Sequence, residues 1–278
     1  MQHLKHLNSF MFTDSFFTQG STHKICEDYA LHGSNYVVIS DGCSSAEDSD
    51  FGSRLLARAT VQAINRNDFG SNEFYYWVLA TAVGYCRSLS LPPDCLFATL
   101  LAAKKIEDKI VVIMKGDGLV AAKQKNGGIY VSYLEFPFSA PFFLRYHLDE
   151  TSLKDYKKQI GDTYLKYQYY ITPDGQVIDF TAIKCQMGNN PYLEQWSFGE
   201  ETEVVTVMSD GILSFVKPEI TATQKRMVKI EESEIIPKLM AFKDFNGEFV
   251  QRRCNMAFKL FEKDGWKSLD DVSVGAIS

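Results

Sequence analysis

Four short stretches of the sequence place a carboxylate where it could hold a hard divalent cation. Val37-Val38-Ile39-Ser40 runs into Asp41-Gly42, and Val111-Val112-Ile113-Met114-Lys115-Gly116 runs into Asp117-Gly118. Val204-Val205-Thr206-Val207-Met208-Ser209 runs into Asp210-Gly211, and the pair Asp270-Asp271 stands directly before the β-type run 272–277. A buried strand fixes the position of the carboxylate at its rim, and glycine lets the backbone turn sharply and bring a carbonyl to the same point. Carboxylate and carbonyl oxygens are the ligands that hard cations prefer. Several such strand ends gathered at one sheet edge would make a pocket of like charge, tolerable only with cations to neutralise it. Asp-Gly is also a common turn dipeptide, and Asp174-Gly175 and Asp264-Gly265 read simply as turns. Spacing alone therefore leaves two readings open, an oxygen-ligand metal site and a set of plain turns.

The elements that must position these acids are β-rich in the first half of the chain. Tyr36-Val-Val-Ile-Ser40 has the pattern of a buried strand. A hairpin series is expected over 96–103, 109–114, 119–123 and 129–133, with Glu107-Asp108 and Asn126-Gly127-Gly128 as turns. Val204–Met208 and 272–277 read as late strands. Leu55, Leu56, Ala59 and Ala63 share one helical face after a turn-like Ser49-Asp50-Phe51-Gly52. Phe74, Trp77, Val78, Ala82 and Tyr85 form a second such face, opened by a cap at Ser71-Asn72-Glu73. Val250, Cys254, Ala257, Phe258 and Phe261 form a third, stopped by Asp264-Gly265. Strands that follow strands, with helices grouped elsewhere, indicate an antiparallel α+β layering. The stretch 134–201, rich in Phe, Tyr and Lys and broken by prolines, reads as a flap or substrate-binding segment.

Composition narrows the function classes. A net charge of −6 argues against a nucleic-acid partner, because phosphate backbones are met by basic faces. No run approaches the roughly 18 apolar residues of a membrane span, and the first residues lack the apolar core of a secretory signal. The six cysteines, at 26, 43, 86, 95, 185 and 254, form no C-x-x-C pair and read as reduced thiols of a cytoplasmic protein. None is followed by an arginine six positions on, which removes the thiol-phosphatase pattern C-x₅-R. His3 and His6 read as a solvated terminus rather than a ligand pair. The aromatics Phe136, Phe138, Phe142 and Phe143 are expected in the core more than in a substrate groove.

In their order along the chain, these elements resemble the PPM (type 2C) family of metal-dependent serine/threonine protein phosphatases. His23-Lys-Ile-Cys-Glu27-Asp28 is similar to a family element with Arg four residues before Glu-Asp, and Ser40-Asp41-Gly42 to its metal-bridging Asp-Gly. Gly52-Ser53 is similar to the opening of its first long helix, Ala98-Thr99-Leu100 to its alanine-threonine strand, and Gly116-Asp117-Gly118 to its Gly-Asp-Ser turn. Ser209-Asp210-Gly211 and Asp270-Asp271-Val-Ser-Val are similar to its last two acidic elements.

The resemblance implies a four-layer α-β-β-α sandwich, two packed antiparallel β-sheets flanked by helices, in one domain over 1–278. It also implies a metal set of two Mg²⁺ or Mn²⁺ ions, with a third at a weaker site. Asp41 would bridge two ions, the Gly42 carbonyl would bind one, and Asp210 and Asp270 would complete the first ion's shell. Glu27 would hold the second ion with Asp28 as its orienting partner, and Asp117 would serve the third. Asp41, Asp210 and Asp270 would then be catalytic through the metal pair. Two cations about 3.5–4 Å apart can share a water, lower its pKa and present it to phosphorus for in-line attack. The implied substrate is a phosphorylated protein.

Two departures bear on activity. His23, which the resemblance implies as the substrate-binding residue, stands where the family grips phosphate with Arg, and histidine can donate to a phosphate but not bidentately. Cys43 stands where eukaryotic members carry a His thought to protonate the leaving oxygen, and it reads as a small packing residue. A catalytically weak member that binds phosphoproteins is the alternative reading.

Overall fold

The computed structural model describes residues 11–66, 68–187, 194–220 and 225–278; His3 and His6 lie outside them. The apolar alternation of the β-type runs is used twice, once for each of two facing sheets. One sheet has seven strands in the order β1 (Thr13–Thr18), β15 (Val272–Ile277), β11 (Thr202–Met208), β6 (Gly118–Gln124), β7 (Ile129–Glu135), β8 (Thr163–Ile171), β9 (Val177–Gln186). The other has five, in the order β10 (Glu194–Phe198), β5 (Lys109–Lys115), β4 (Leu100–Ile106), β3 (Tyr36–Asp41), β2 (Asp28–Gly33). A small third sheet joins β13 (Lys225–Lys229), β12 (Phe215–Ile220) and β14 (Lys267–Ser268). Neighbouring strands pair antiparallel throughout, as expected.

Alternation then sorts the side chains into layers. Val37, Ile39, Leu101 and Ala103 of one sheet meet Val120, Ala122, Val205 and Val207 of the other, forming the inner core. Val38, Ala102 and Ile113 point outward onto α1 (Ser49–Ala63) and α2 (Asn72–Leu89), through Leu56, Ala59, Phe74 and Val78. On the opposite outer face, Leu119, Val272 and Val274 meet α4 (Glu232–Leu239) and α5 (Phe249–Lys263), through Ile236, Val250, Cys254 and Phe261. This is the four-layer α-β-β-α sandwich.

Several local expectations hold. The hydroxyl of Ser71 caps α2, accepting from the Phe74 N–H at 3.2 Å, and Gly265 closes α5 by donating to the Glu262 carbonyl. Others are corrected. Ser49-Asp50-Phe51-Gly52 is the first turn of α1 rather than a turn before it. The strand expected from residue 96 begins at Leu100, because Pro93–Leu96 forms a 3₁₀ turn and Ala98 makes an isolated bridge to Gly42. The expected hairpin series is interrupted, since β5 and β6 belong to different sheets and Gly116-Asp117 carries the chain across the sandwich. In 134–201, β8 and β9 extend the seven-stranded sheet and α3 (Glu150–Gln159) packs Tyr156 into the inner core. Phe136, Phe142 and Phe143 are core residues, whereas Phe138 is 83% exposed. No helix among the described residues is long and apolar enough to cross a membrane.

Asp14, at 1% exposure, anchors the outer helical layer to the sheet. Its Oδ2 accepts from the first-turn N–H groups of α5, at 2.6 Å from Val250 and 3.0 Å from Gln251. A carboxylate there meets both the unpaired N–H groups and the positive end of the helix dipole. Asp14→Ala is expected to lower the unfolding free energy by about 1–2 kcal/mol, measured by urea denaturation. An unchanged midpoint would mean that this cap adds nothing.

Candidate metal centre

The two sheets end together, and the acidic residues singled out in the sequence converge at that common end. Asp41 closes β3, Asp117 lies in the crossing from β5 to β6, Asp210 follows β11, and Asp270 precedes β15. With Gly42, Cys43, Ser44, Thr99, Ser139, Pro141 and Phe143, these four aspartates line a cleft of about 150 Å³. Asp28 lies directly opposite Asp41 in the β2–β3 ladder and is fully buried. Five carboxylates thus meet at one place, drawn from both sheets rather than from one sheet edge.

The surrounding backbone fixes each of them. Thr99 holds Asp41 from both sides, its N–H donating to the Asp41 carbonyl at 2.8 Å and its Oγ1 accepting from the Asp41 N–H at 3.0 Å. Ser40 Oγ donates to the Thr99 carbonyl at 2.6 Å, locking the same joint. Ser209 Oγ donates to Asp28 Oδ2 at 2.7 Å and accepts from the Ser273 N–H at 2.9 Å, tying the two sheets together beneath the cleft. Gly211 lets the Asp210 turn lie against the Asp270-Asp271 segment, for a Cβ there would sit 1.7 Å from the Asp271 carbonyl oxygen. Gly42 is equally constrained, with its missing Cβ 2.6 Å from the carbonyl oxygen of Ser49.

Glu27 and His23 stand beside the cleft. Glu27 accepts from the hydroxyls of Ser44, at 2.6 Å, and Ser49. His23 is the residue whose place differs most from expectation. Its ring lies among carboxylates, with Nε2 3.1 Å from Asp270 Oδ1 and Nδ1 3.2 Å from Asp271 Oδ2 and 3.6 Å from Glu27 Oε2. Asp271 was legible only as half of an acidic pair, yet it is the strut of this region. Its buried carboxylate accepts from the Gly20 N–H at 2.7 Å and the Glu27 N–H at 2.6 Å. Thr99 and Ser209 were visible only as neighbours of the motifs, because a hydroxyl that orients a carboxylate has no spacing signal of its own.

The electrostatics of the cluster call for cations. Burial pushes the Asp28 carboxyl up to about 7. Asp41 is raised well above the usual carboxylate range by burial and by the charges of Asp28 and Asp210. Burial and then the Asp210 charge do the same to Asp117, and raise Asp270 as well. Among the described residues, Asp28 Oδ1 and Asp210 Oδ1 are buried oxygens with no hydrogen-bond partner. Buried polar atoms are nearly always satisfied, and an unpaired carboxylate oxygen beside other carboxylates is free to accept a cation. The donor set of carboxylates with nearby backbone carbonyls fits Mg²⁺ or Mn²⁺.

The comparisons agree with this geometry. Residues 20–138 match the family model described as Protein phosphatase 2C. The serine/threonine phosphatase PstP/Ppp of Mycobacterium tuberculosis shares the fold at TM-score 0.50 and 13% identity, over 96% of this chain and 98% of that one. The S. agalactiae serine/threonine phosphatase does so at TM-score 0.54 and 12% identity, over 96% and 99%. The catalytic domain of PstP in complex with 2 manganese ions matches at TM-score 0.51 and 13% identity, over 96% and 97%. No curated protein matches the chain by sequence. The matched segment resembles that family, and the chain as a whole shares the fold of these solved phosphatases.

A dependence on pH follows for the metal-free protein. Asp28, Asp41, Asp117 and Asp270 keep their protons to higher pH folded than unfolded, so the folded state binds more protons and stability falls as pH rises. For Asp28 the window runs from about 4 to about 7. Cations replace those protons, so the rise in unfolding midpoint on adding Mn²⁺ is expected to be larger at about pH 7.5 than at about pH 5.5. An equal or larger rise at the lower pH would place the ion elsewhere.

Proposed function

We propose that the chain is a protein-serine/threonine phosphatase that hydrolyses phosphoserine and phosphothreonine with a divalent-cation pair held by Asp41, Asp210 and Asp270. The observation that carries this reading is the convergence of mutually repelling aspartates from both sheets in an open cleft, in a chain whose residues 20–138 match the Protein phosphatase 2C family model. Asp41 would be shared by both ions, the Gly42 carbonyl would hold one of them, Glu27 would serve the second ion with Asp28 behind it, and Asp117 would serve a third, weaker one. When bound, such ions supply an activated water and offset phosphoryl charge, so no phosphoenzyme is required. The protein's part is positional. Thr99 sets Asp41, Ser209 sets Asp28, and Gly211 brings Asp210 to Asp270.

We read 134–201 as the substrate-facing segment. Ser139, Pro141 and Phe143 form one wall of the cleft, and Phe138 stands exposed next to it. The substrate is a phosphorylated protein, without nucleic acid or membrane as partner, and free thiols suit a cytoplasmic setting. A second reading, a weak hydrolase that binds phosphoproteins, is favoured by one observation: His23 is engaged by carboxylates and offers no arginine-like grip on phosphate.

The test is Mn²⁺-dependent phosphate release from a phosphopeptide and from an aryl phosphate. Asp41→Asn is expected to lower kcat by at least ~10²-fold on both. Phe138→Ala should raise KM for the phosphopeptide alone. Near-wild-type turnover by Asp41→Asn at saturating Mn²⁺ would contradict the assignment, and phosphopeptide binding without release would establish the second reading.

A further inference from the structure

The loop 20–27 is sewn onto the segment before β15. Ser21 and Thr22 donate backbone N–H bonds to the carbonyls of Ser268 and Leu269, and both oxygens of Asp271 accept N–H groups from the loop. Gly20 permits the contact, since a Cβ there would lie 2.2 Å from the Asp270 backbone carbon. This stitching sets the imidazole of His23 over three carboxylates, and the geometry admits a simple tautomer. With the proton on Nε2, that nitrogen donates to Asp270 Oδ1 at 3.1 Å. The lone pair of Nδ1 is then left beside Asp271 Oδ2 at 3.2 Å and Glu27 Oε2 at 3.6 Å. A lone pair beside two carboxylate oxygens is repulsive unless a second ring proton or a metal cation lies between them.

We infer that His23 Nδ1, Glu27 Oε2 and Asp271 Oδ2 form a mixed nitrogen–oxygen metal site for a first-row transition ion such as Mn²⁺, Fe²⁺ or Zn²⁺. The three ligand atoms lie within 4.8 Å of one another. Metal bonds of about 2.0–2.2 Å require ligand atoms about 3–4.4 Å apart, a separation reached by small side-chain adjustments. Each ligand is also held from behind, as metal ligands usually are. Asp270 accepts from the far nitrogen of His23, Ser44 and Ser49 donate to Glu27, and backbone N–H groups hold Asp271. A carboxylate oxygen that accepts one hydrogen bond still has a lone pair for a cation. An imidazole ligand shifts the preference from Mg²⁺ toward transition ions, so the site makes His23 a metal ligand rather than a phosphate grip.

The inference rests on the phosphatase reading in that Glu27 and Asp270 serve both sites, and its test does not use turnover. Electron spin-echo modulation of the Mn²⁺-loaded full chain is expected to show the ¹⁴N coupling of a directly bound imidazole. His23→Gln, with its fold verified by its unfolding curve, should abolish that coupling and weaken Zn²⁺ binding in calorimetry at least ~tenfold. Absence of the coupling in Mn²⁺-loaded wild type would overturn the site, because His23 would then act only as an imidazolium among acids. Survival of the coupling in His23→Gln, or unchanged Zn²⁺ affinity, would overturn it too. A protein that shows the coupling yet releases no phosphate would sink the hydrolase reading and leave this site standing.

Discussion

Repulsion among buried carboxylates is the constraint on which the rest of the structure depends. Asp28, Asp41, Asp117, Asp210 and Asp270 are gathered where two sheets end, with Asp28 and Asp41 directly opposite in one ladder. Removing a carboxylate from water without a counter-charge costs several kcal/mol, and neighbouring like charges add to it. A fold can sustain this only where rigid strands prevent the acids from swinging apart. The strand rims, the Thr99 joint at Asp41 and the Ser209 tie at Asp28 supply that rigidity. The helices stiffen both outer faces, and Asp14 ties α5 to the first strand.

Much of this was legible because the motifs have local causes. A β-branched run followed by Asp-Gly shows a strand end, a carboxylate and a sharp turn in six residues. The boundaries of β3, β5 and β11 fell within two residues of the sequence reading for that reason. The crossing at Gly116-Asp117 was not legible, since a turn between sheets and a hairpin use the same residues. Nor was the β8–β9 hairpin. Most of β9 is exposed, so its side chains carry no apolar alternation to betray a strand.

The roles of adjacent identical residues were also hidden. Asp270 lines the cleft while Asp271, one position on, faces the 20–27 loop, and only three-dimensional placement tells the two apart. His23 shows the same limit. The family resemblance implied a substitute for arginine there, whereas Asp270 and Asp271, far along the chain, surround it with acid. Sequence spacing reports neighbours along one element, and the chemistry of this corner comes from two elements about 250 residues apart.

The central claim is that these aspartates are kept against their own repulsion for the sake of a cation, and Asp41, buried beside the charges of Asp28 and Asp210, is where it can be tested. The most direct measurement is the unfolding midpoint of wild type and Asp41→Asn at pH about 7.5, each in chelator and in saturating Mn²⁺. In chelator the variant should be the more stable of the two, because one buried charge has been removed from the cluster. In Mn²⁺ the order should reverse, with wild type gaining far more than the variant. A variant that is less stable than wild type in chelator, or that gains as much from Mn²⁺, would contradict the account.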